Sequence, residues 1–380
     1  MRALGGGLAS GCLAAAVLFL GCSSQQSGSS GGRQAAFTTK EQLGKLLFFD
    51  ENLSTPPGQS CASCHSPDAG FGNPDQQLPV SRGAHADRFG NRNDLTAAYA
   101  AFIPPLRFDE DEDMWVGGLF WDGRAADLAE QAKGPPLNPL EMANPDIEAV
   151  ADAIRAADYR DLFLEVFGED ALSDAARAFD FFADAIAAYE TTSEVNPFDS
   201  KYDLFLVGEA QLSEQELRGM ALYEREDKGN CAACHPGRPG PDGSPPLFTD
   251  HTYDNLGVPK NPESPFYSLP PDLNPDGAGY VDLGLGAVVE DPDMNGLFRV
   301  PTLRNVALTS PYMHNGVFKT LYQVVAFYNA RDVAPWPAPE WPGNVNRDEL
   351  GDLGLTPQEI DDIVAFLRTL SDGYRARQEK

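Results

Sequence analysis

Cys61-Ala62-Ser63-Cys64-His65 and Cys231-Ala232-Ala233-Cys234-His235 are the two stretches that decide how this chain folds. Each reads as a covalent attachment site for a c-type haem. Two thiols three residues apart share one helical turn, so both can form thioethers to the vinyl groups of one porphyrin. The next residue then sets an imidazole under the iron. The alternatives for such a motif are a zinc site or a redox dithiol. Zinc needs four good ligands close together, and a thioredoxin-like dithiol has no use for the His. The chain has six Cys and five His in all, so two matches point to two haem c groups, held by Cys61, Cys64, His65 and by Cys231, Cys234, His235.

Working outward, the N-terminus reads as a targeting segment. Arg2 is followed by an apolar stretch centred on Leu13–Leu20, which ends at Gly21-Cys22. This is similar to a bacterial lipoprotein signal over residues 1–22, with Cys22 as the lipidated mature N-terminus. Phe19 is an imperfect lipobox residue, which leaves ordinary secretory cleavage as the alternative. The apolar stretch is short for a membrane span. Residues 23–35 are rich in Ser, Gln and Gly and suit a flexible tether. Cysteine use agrees with export: Cys12 leaves with the signal, Cys22 takes lipid and the other four hold haem. The expected location is the periplasm, on a lipid anchor.

The residues from 36 onward suffice for two domains of ordinary size. We expect a haem domain over 36–203 and a second over 204–380, joined near Phe198–Gly208. The formal net charge is −29, with 57 acidic against 28 basic residues. That excludes nucleic acid and anionic membrane surfaces as natural partners. It favours either a basic redox partner or simple solubility. The run Asp109-Glu110-Asp111-Glu112-Asp113 reads as a solvated loop.

A weak repeat supports two related lobes. Gly44-Lys45-Leu46-Leu47-Phe48 precedes the first haem motif and Gly219-Met220-Ala221-Leu222-Tyr223 the second. Each has a Gly with an aromatic one turn later, as in the first helix of c-type cytochromes, where a small residue lets the last helix cross closely. A last helix is plain at the C-terminus: Thr356 caps it, Pro357 opens it, Glu359 sits at N3, and Ile360, Ile363, Val364, Phe366, Leu367 and Leu370 keep helical period. Further helices are expected at 124–133, 146–157, 159–167 and 172–190. Segments 66–83, 236–301 and 333–350 carry the Pro, Gly, Asn and Asp of long ordered loops. The fold class is mainly α, with two cytochrome c-like haem domains and long ordered loops.

Phe120-Trp121-Asp122-Gly123-Arg124-Ala125, Gln131-Ala132-Lys133-Gly134-Pro135, Asn138-Pro139-Leu140-Glu141-Met142 and Val300-Pro301-Thr302-Leu303-Arg304-Asn305 with Pro311-Tyr312-Met313-His314 resemble the bacterial dihaem cytochrome c peroxidase family. That family includes the dihaem enzyme that matures the quinone cofactor of methylamine dehydrogenase. The resemblance covers nearly all of residues 37–375. It implies that His65 is the proximal ligand of a peroxidatic haem and His235 that of an electron-transfer haem. It places His85 as a displaceable distal ligand, Trp121 as an electron relay between the haems, and Gln131 and Glu141 as the distal pair. Asn93, with the carbonyls of Thr309 and Pro311, would hold one calcium ion, a hard cation suited to oxygen ligands. The resemblance also implies a small electron donor, a c-type cytochrome or cupredoxin, and a homodimer.

Peroxide bound through one oxygen must lose a proton there and regain it on the oxygen that leaves; a carboxylate such as Glu141 can do both. One position departs from the usual pattern. The second haem's distal ligand is usually Met, fourteen residues after the His of the Pro-Tyr-x-His motif, and that count from His314 reaches Tyr328. A phenolate favours ferric iron and lowers the potential; Met313 is the rival ligand. The expected function is reduction of hydrogen peroxide to water. The alternatives are an oxidase that stores two oxidising equivalents across both haems to oxidise protein Trp or Tyr, and a plain electron carrier. His314 is expected to shape a haem pocket, and His251 to lie in a loop.

Overall fold

The computed structural model describes residues 37–240 and 243–374, which fall in one compact unit. The expected signal and tether, with Cys12 and Cys22, lie outside the described residues. In chain order the helices that organise the fold are α1 (Thr39–Phe48), α2 (Leu128–Ala132), α3 (Gly134–Leu137), α4 (Ile147–Ala156), α5 (Arg160–Phe167), α6 (Ala175–Glu190), α7 (Lys201–Leu206), α8 (Glu214–Glu224), α9 (Leu321–Ala330) and α10 (Pro357–Arg368). Strand is scarce. Antiparallel β1 (Arg107–Asp109) and β2 (Met114–Val116) form one hairpin, in which Phe108 faces Trp115. Antiparallel β3 (Tyr253–Asp254) and β4 (Phe298–Arg299) form the other pair, in which Tyr253 faces Arg299. The fold is mainly helical, with two cytochrome c-type domains.

The repeat seen in the sequence is a repeat in space. Gly44 on α1 lies so close to α6 that an added Cβ would sit 1.9 Å from the Ala185 carbonyl oxygen. Gly219 on α8 lies as close to α10, with 1.9 Å to the carbonyl oxygen of Asp362. Only a residue without a side chain lets two backbones approach this way. One turn later the aromatics lock each crossing: Phe48 meets Tyr189 edge-on at 5.3 Å, and Tyr223 meets Phe366 edge-on at 5.1 Å. Each lobe builds its own apolar core on such a crossing, one around Leu43, Leu47 and Phe182, the other around Leu222, Ile363 and Phe366.

Thr356 and Glu359 form the full capping box on α10, with Pro357 at its first position, as the sequence predicts. The helices expected at 146–157, 159–167 and 172–190 are α4, α5 and α6. The one expected at 124–133 begins later, at Leu128. Arg124–Ala126 are not helical, Ala125 pairs with Leu119, and Asp127 caps α2 by accepting from the Glu130 amide. The joining segment Phe198–Gly208 is not a plain linker. It contains α7, capped by Ser200 and Asp203. The acidic run is the turn and flank of the β1–β2 hairpin, still solvent-facing for the most part.

The two lobes are pinned by buried polar contacts. The Arg304 guanidinium, 1% exposed, donates to both Asp203 carboxylate oxygens at 2.8 and 3.0 Å. Its face lies 4.8 Å from the Tyr99 ring and 4.4 Å from that of Phe198. The Tyr99 hydroxyl donates to Asp372 at 2.7 Å. No helix among the described residues is long and apolar enough to cross a membrane.

Candidate functional site

Two cavities contain the chemistry-bearing residues. In the first lobe Ser60 caps a helical turn, Cys61–Cys64, so that both thiols and the His65 ring line one cavity. In the second lobe Cys231, Cys234 and His235 line another. The imidazoles are held alike. The His65 amide donates to the Cys61 carbonyl at 2.8 Å, and the His235 amide to that of Cys231 at 2.9 Å. His65 Nδ1 lies 3.2 Å from the Phe71 carbonyl and His235 Nδ1 lies 2.8 Å from that of Phe248. With Nδ1 used as a donor, Nε2 is left as the free lone pair a metal needs. Burial lowers the pKa of both rings, with carbonyl contacts opposing, and a neutral imidazole is the form that binds iron. No disulfide removes these thiols. Two thiols and one oriented imidazole on each cavity wall fit two haem c groups.

The first cavity is also lined by Gln131, Glu141 and Trp121. Gln131 comes from α2 and Glu141 from the turn after α3. Asn138 Nδ2 donates to Glu141 Oε1 at 2.7 Å, and the Glu141 amide donates to the Asn138 carbonyl at 3.0 Å, which together fix the carboxyl. Burial pushes Glu141 up to about 7; Asp94 adds to the rise, and Arg124 and Asn138 oppose it. Asp94 itself is pushed up to about 6 by burial, against a hydrogen bond from Ser81. The Arg124 guanidinium sits over the Phe120 ring at 3.5 Å, beside this pair.

His85 is not brought into the cavity. It sits half-buried on the neighbouring loop, which is tied to the site because the Ala84 amide donates to the Glu141 carbonyl at 2.7 Å. Trp121 lines both cavities, and its Nε1 donates to the Asn93 carbonyl at 2.8 Å. The Asn93 amide donates to the His314 carbonyl at 2.7 Å, and its side-chain Nδ2 to the Pro311 carbonyl at 2.6 Å. That last bond brings the Asn93 side-chain amide and the Pro311 carbonyl together across the lobes. Thr309 lines the second cavity near them.

Tyr328, Met313 and His314 all reach the second cavity. The Tyr328 hydroxyl lies 3.8 Å from the Met313 sulfur. Burial holds the Tyr328 phenol well above its usual range, and the Cys231 and Cys234 sulfurs add to this. His314 is buried and stacks on Phe298 at 3.8 Å, with its Nε2 3.7 Å from Glu340, so it shapes the pocket as expected. His251 is more than a loop residue. It is half-buried with φ of 61°, and its Nδ1 has no partner. Burial, then the Arg299 charge, pushes it down to about 4.

Sequence reasoning passed over Asp94, Arg92, Arg299 and Glu190. Arg92 donates to Asp122 and Asp282, both at 2.6 Å, between the lobes. Asp94 adjoins Asn93, and Arg299 precedes the Val300-Pro301-Thr302 motif. That adjacency is the one cue the sequence offers, and Glu190 lacks even that.

Two covalent haem sites that share a tryptophan wall define a dihaem c-type cytochrome. A family model described as di-haem cytochrome c peroxidase matches residues 38–211, and one described as cytochrome c matches residues 216–371. Methylamine utilization protein MauG of Paracoccus denitrificans is 42% identical over 87% of this chain and 88% of its own length. Cytochrome c551 peroxidase of Pseudomonas aeruginosa is 35% identical over 90% and 80%. The crystal structure of the diheme peroxidase BthA from Burkholderia thailandensis superposes with a TM-score of 0.76 at 35% identity, covering 89% of this chain and 88% of that one. The chain belongs to the di-haem cytochrome c peroxidase family, and it is an oxidoreductase.

Proposed function

We propose that this chain is a periplasmic dihaem peroxidase that reduces hydrogen peroxide to water with two electrons from a small redox protein. The observation that carries this reading is Glu141: a buried carboxyl pushed up to about 7, fixed by Asn138 on the wall of the first haem cavity. A plain electron carrier has no need of such a group. Bound haem supplies the electrons and the site where the O–O bond is cleaved. The carboxylate of Glu141 takes the proton from the nearer peroxide oxygen and hands it to the farther one, which leaves as water. Gln131 orients the substrate. Two protons from solvent, with the two electrons from the donor, complete the second water. Trp121, on both cavity walls, carries electrons between the lobes. His85, one loop away, is the displaceable ligand.

The proposed domains are 36–203 and 204–380, behind a signal at 1–22 and a tether at 23–35. In this reading Cys22 carries the lipid anchor. A calcium ion at Asn93, Thr309 and Pro311 belongs to the proposal, since side-chain and main-chain groups from both lobes converge there. Metal analysis before and after chelation checks it. Analytical centrifugation checks the proposed homodimer.

Tyr328 favours a second reading, an oxidase that withdraws electrons from Trp or Tyr of a protein. A hard anionic ligand at the second haem stabilises its oxidised state, and the Paracoccus relative is 42% identical. Steady-state peroxide consumption with reduced cytochrome c or cupredoxin separates the two. Rapid turnover, lost in Glu141→Gln, supports the peroxidase. Slow consumption with every donor, alongside oxidation of an added protein substrate, overturns it.

A further inference from the structure

We infer that Arg299 is a shared anchor for haem propionates, one guanidinium that takes a carboxylate from the haem of each lobe. The inference depends on the dihaem family assignment, and the peroxide reading can fail without touching it.

Three arginines among the described residues are buried: Arg299, Arg304 and Arg331. Arg304 holds Asp203 at 2.8 Å, and Arg331 holds Asp332 at 2.7 Å. Arg299, 3% exposed, has no carboxylate within 4 Å among the described residues. The acid that influences it, Asp122, is already committed to Arg92 at 2.6 Å and Arg124 at 2.9 Å. The hydrogen bonds Arg299 does make are poor. Nε reaches the Phe120 carbonyl at 3.3 Å, and Nη1 reaches that of Val300 at 3.4 Å. The Val300 carbonyl also accepts from Thr249 at 2.7 Å. A buried guanidinium served this weakly is destabilising unless an anion meets it. Burial accordingly pulls it down to about 10.

Its place identifies the missing anion. Arg299 sits on β4, with its amide donating to the Trp121 carbonyl at 2.8 Å. Its side chain lines the first haem cavity, the second haem cavity, and a small void between them beside Tyr99 and His251. A haem brings two propionates, and the planar fork of Arg takes a carboxylate through two parallel hydrogen bonds. One such fork, reached from both cavities, pairs with one propionate from each side. His251, held neutral beside it, adds no competing positive charge.

The test uses the purified holoprotein, in which the thioethers keep both haems in place. Spectropotentiometry follows the two midpoint potentials, and resonance Raman follows the propionate bending bands. In Arg299→Gln both potentials shift negative, because two propionates lose their counter-charge. In Arg299→Lys the potentials stay nearer the parent values, while the bending bands of both haems still move, because the fork is lost. Bands unchanged in both variants overturn the inference, and so does a change confined to one haem. If Arg299→Gln does not yield folded protein, Arg299→Lys decides alone through its bending bands.

Discussion

The Tyr328 hydroxyl and the Met313 sulfur meet at 3.8 Å on the wall of the second haem cavity, so two residues with opposite redox consequences compete for one position. Thioether ligation raises a haem potential and phenolate ligation lowers it. We expect Tyr328→Met to shift the second haem's potential positive and Met313→Leu to leave it near the parent value. Redox titration followed optically reads both. The reverse pattern would assign the iron to Met313.

Glu141 sets a second expectation. Its acid is pushed up to about 7 by burial and by Asp94. Only the carboxylate can take the peroxide proton, so turnover should climb as pH rises through about 7 and level off above it. Glu141→Gln should lose roughly 100- to 10,000-fold, the usual worth of a positioned base, together with that rise. Asp94→Asn removes a like charge and lowers the Glu141 pKa, so the same rise should move to lower pH. A pH–rate profile of the three proteins checks all of this. An unmoved profile in Asp94→Asn would detach the rise from Glu141.

Glu190, at the end of α6, is buried beside Cys61 with Oε2 unpartnered, and burial alone pushes its carboxyl up to about 8 from 4.5. A raised carboxyl binds its proton more tightly in the folded state. Its cost is therefore absent below about pH 4.5, grows as pH rises, and levels off above about 8. At neutral pH the cost is on the order of 3 kcal/mol. Glu190→Gln should gain stability over the parent progressively from pH 5 to pH 8. Denaturant midpoints at the two pH values measure the difference, and a constant difference would show that Glu190 has found a partner.

Each helix crossing predicts its own failure. A methyl group at Gly219 would meet the Asp362 carbonyl oxygen at 1.9 Å, against backbone that cannot turn aside. Gly219→Ala should destabilise by about 1–3 kcal/mol or more, and Gly44→Ala should do the same to the first lobe. Thermal unfolding followed at each haem's absorption would assign the loss to its lobe. Equal, small effects would mean that the helices slide apart at little cost.

How much of this was legible in the sequence follows from how local each feature is. The haem motifs, the α10 cap and the two glycine-to-aromatic spacings are set within one or two helical turns, and they stand where residue spacing puts them. The short α7 escaped notice because six residues carry little periodicity, and its Ser200–Asp203 cap sits inside a segment that reads as a joint. Glu141 and Gln131 came from the family resemblance alone. Arg299, Asp94 and Glu190 look like ordinary surface charges in one dimension. Their meaning lies in burial, with Arg299 and Glu190 poorly partnered, and that is settled only when distant segments pack. His85 shows the converse: the family resemblance sets it at the iron, yet it does not line the cavity that Ser81 and Arg82 of the same loop reach.

The Trp121 indole is tied to the Asn93 carbonyl, and Asn93 in turn donates to His314 and Pro311 of the other lobe. A hinge between the lobes would have to tear this ladder and pull the tryptophan off both cavity walls at once. The 81–90 loop beside the first cavity is tied down as well, by the Ala84 amide to the Glu141 carbonyl, by Gln59 to the Arg82 carbonyl and by Arg88 to the Pro139 carbonyl. One set of hydrogen bonds thus both joins the lobes and holds the tryptophan between the two cavities.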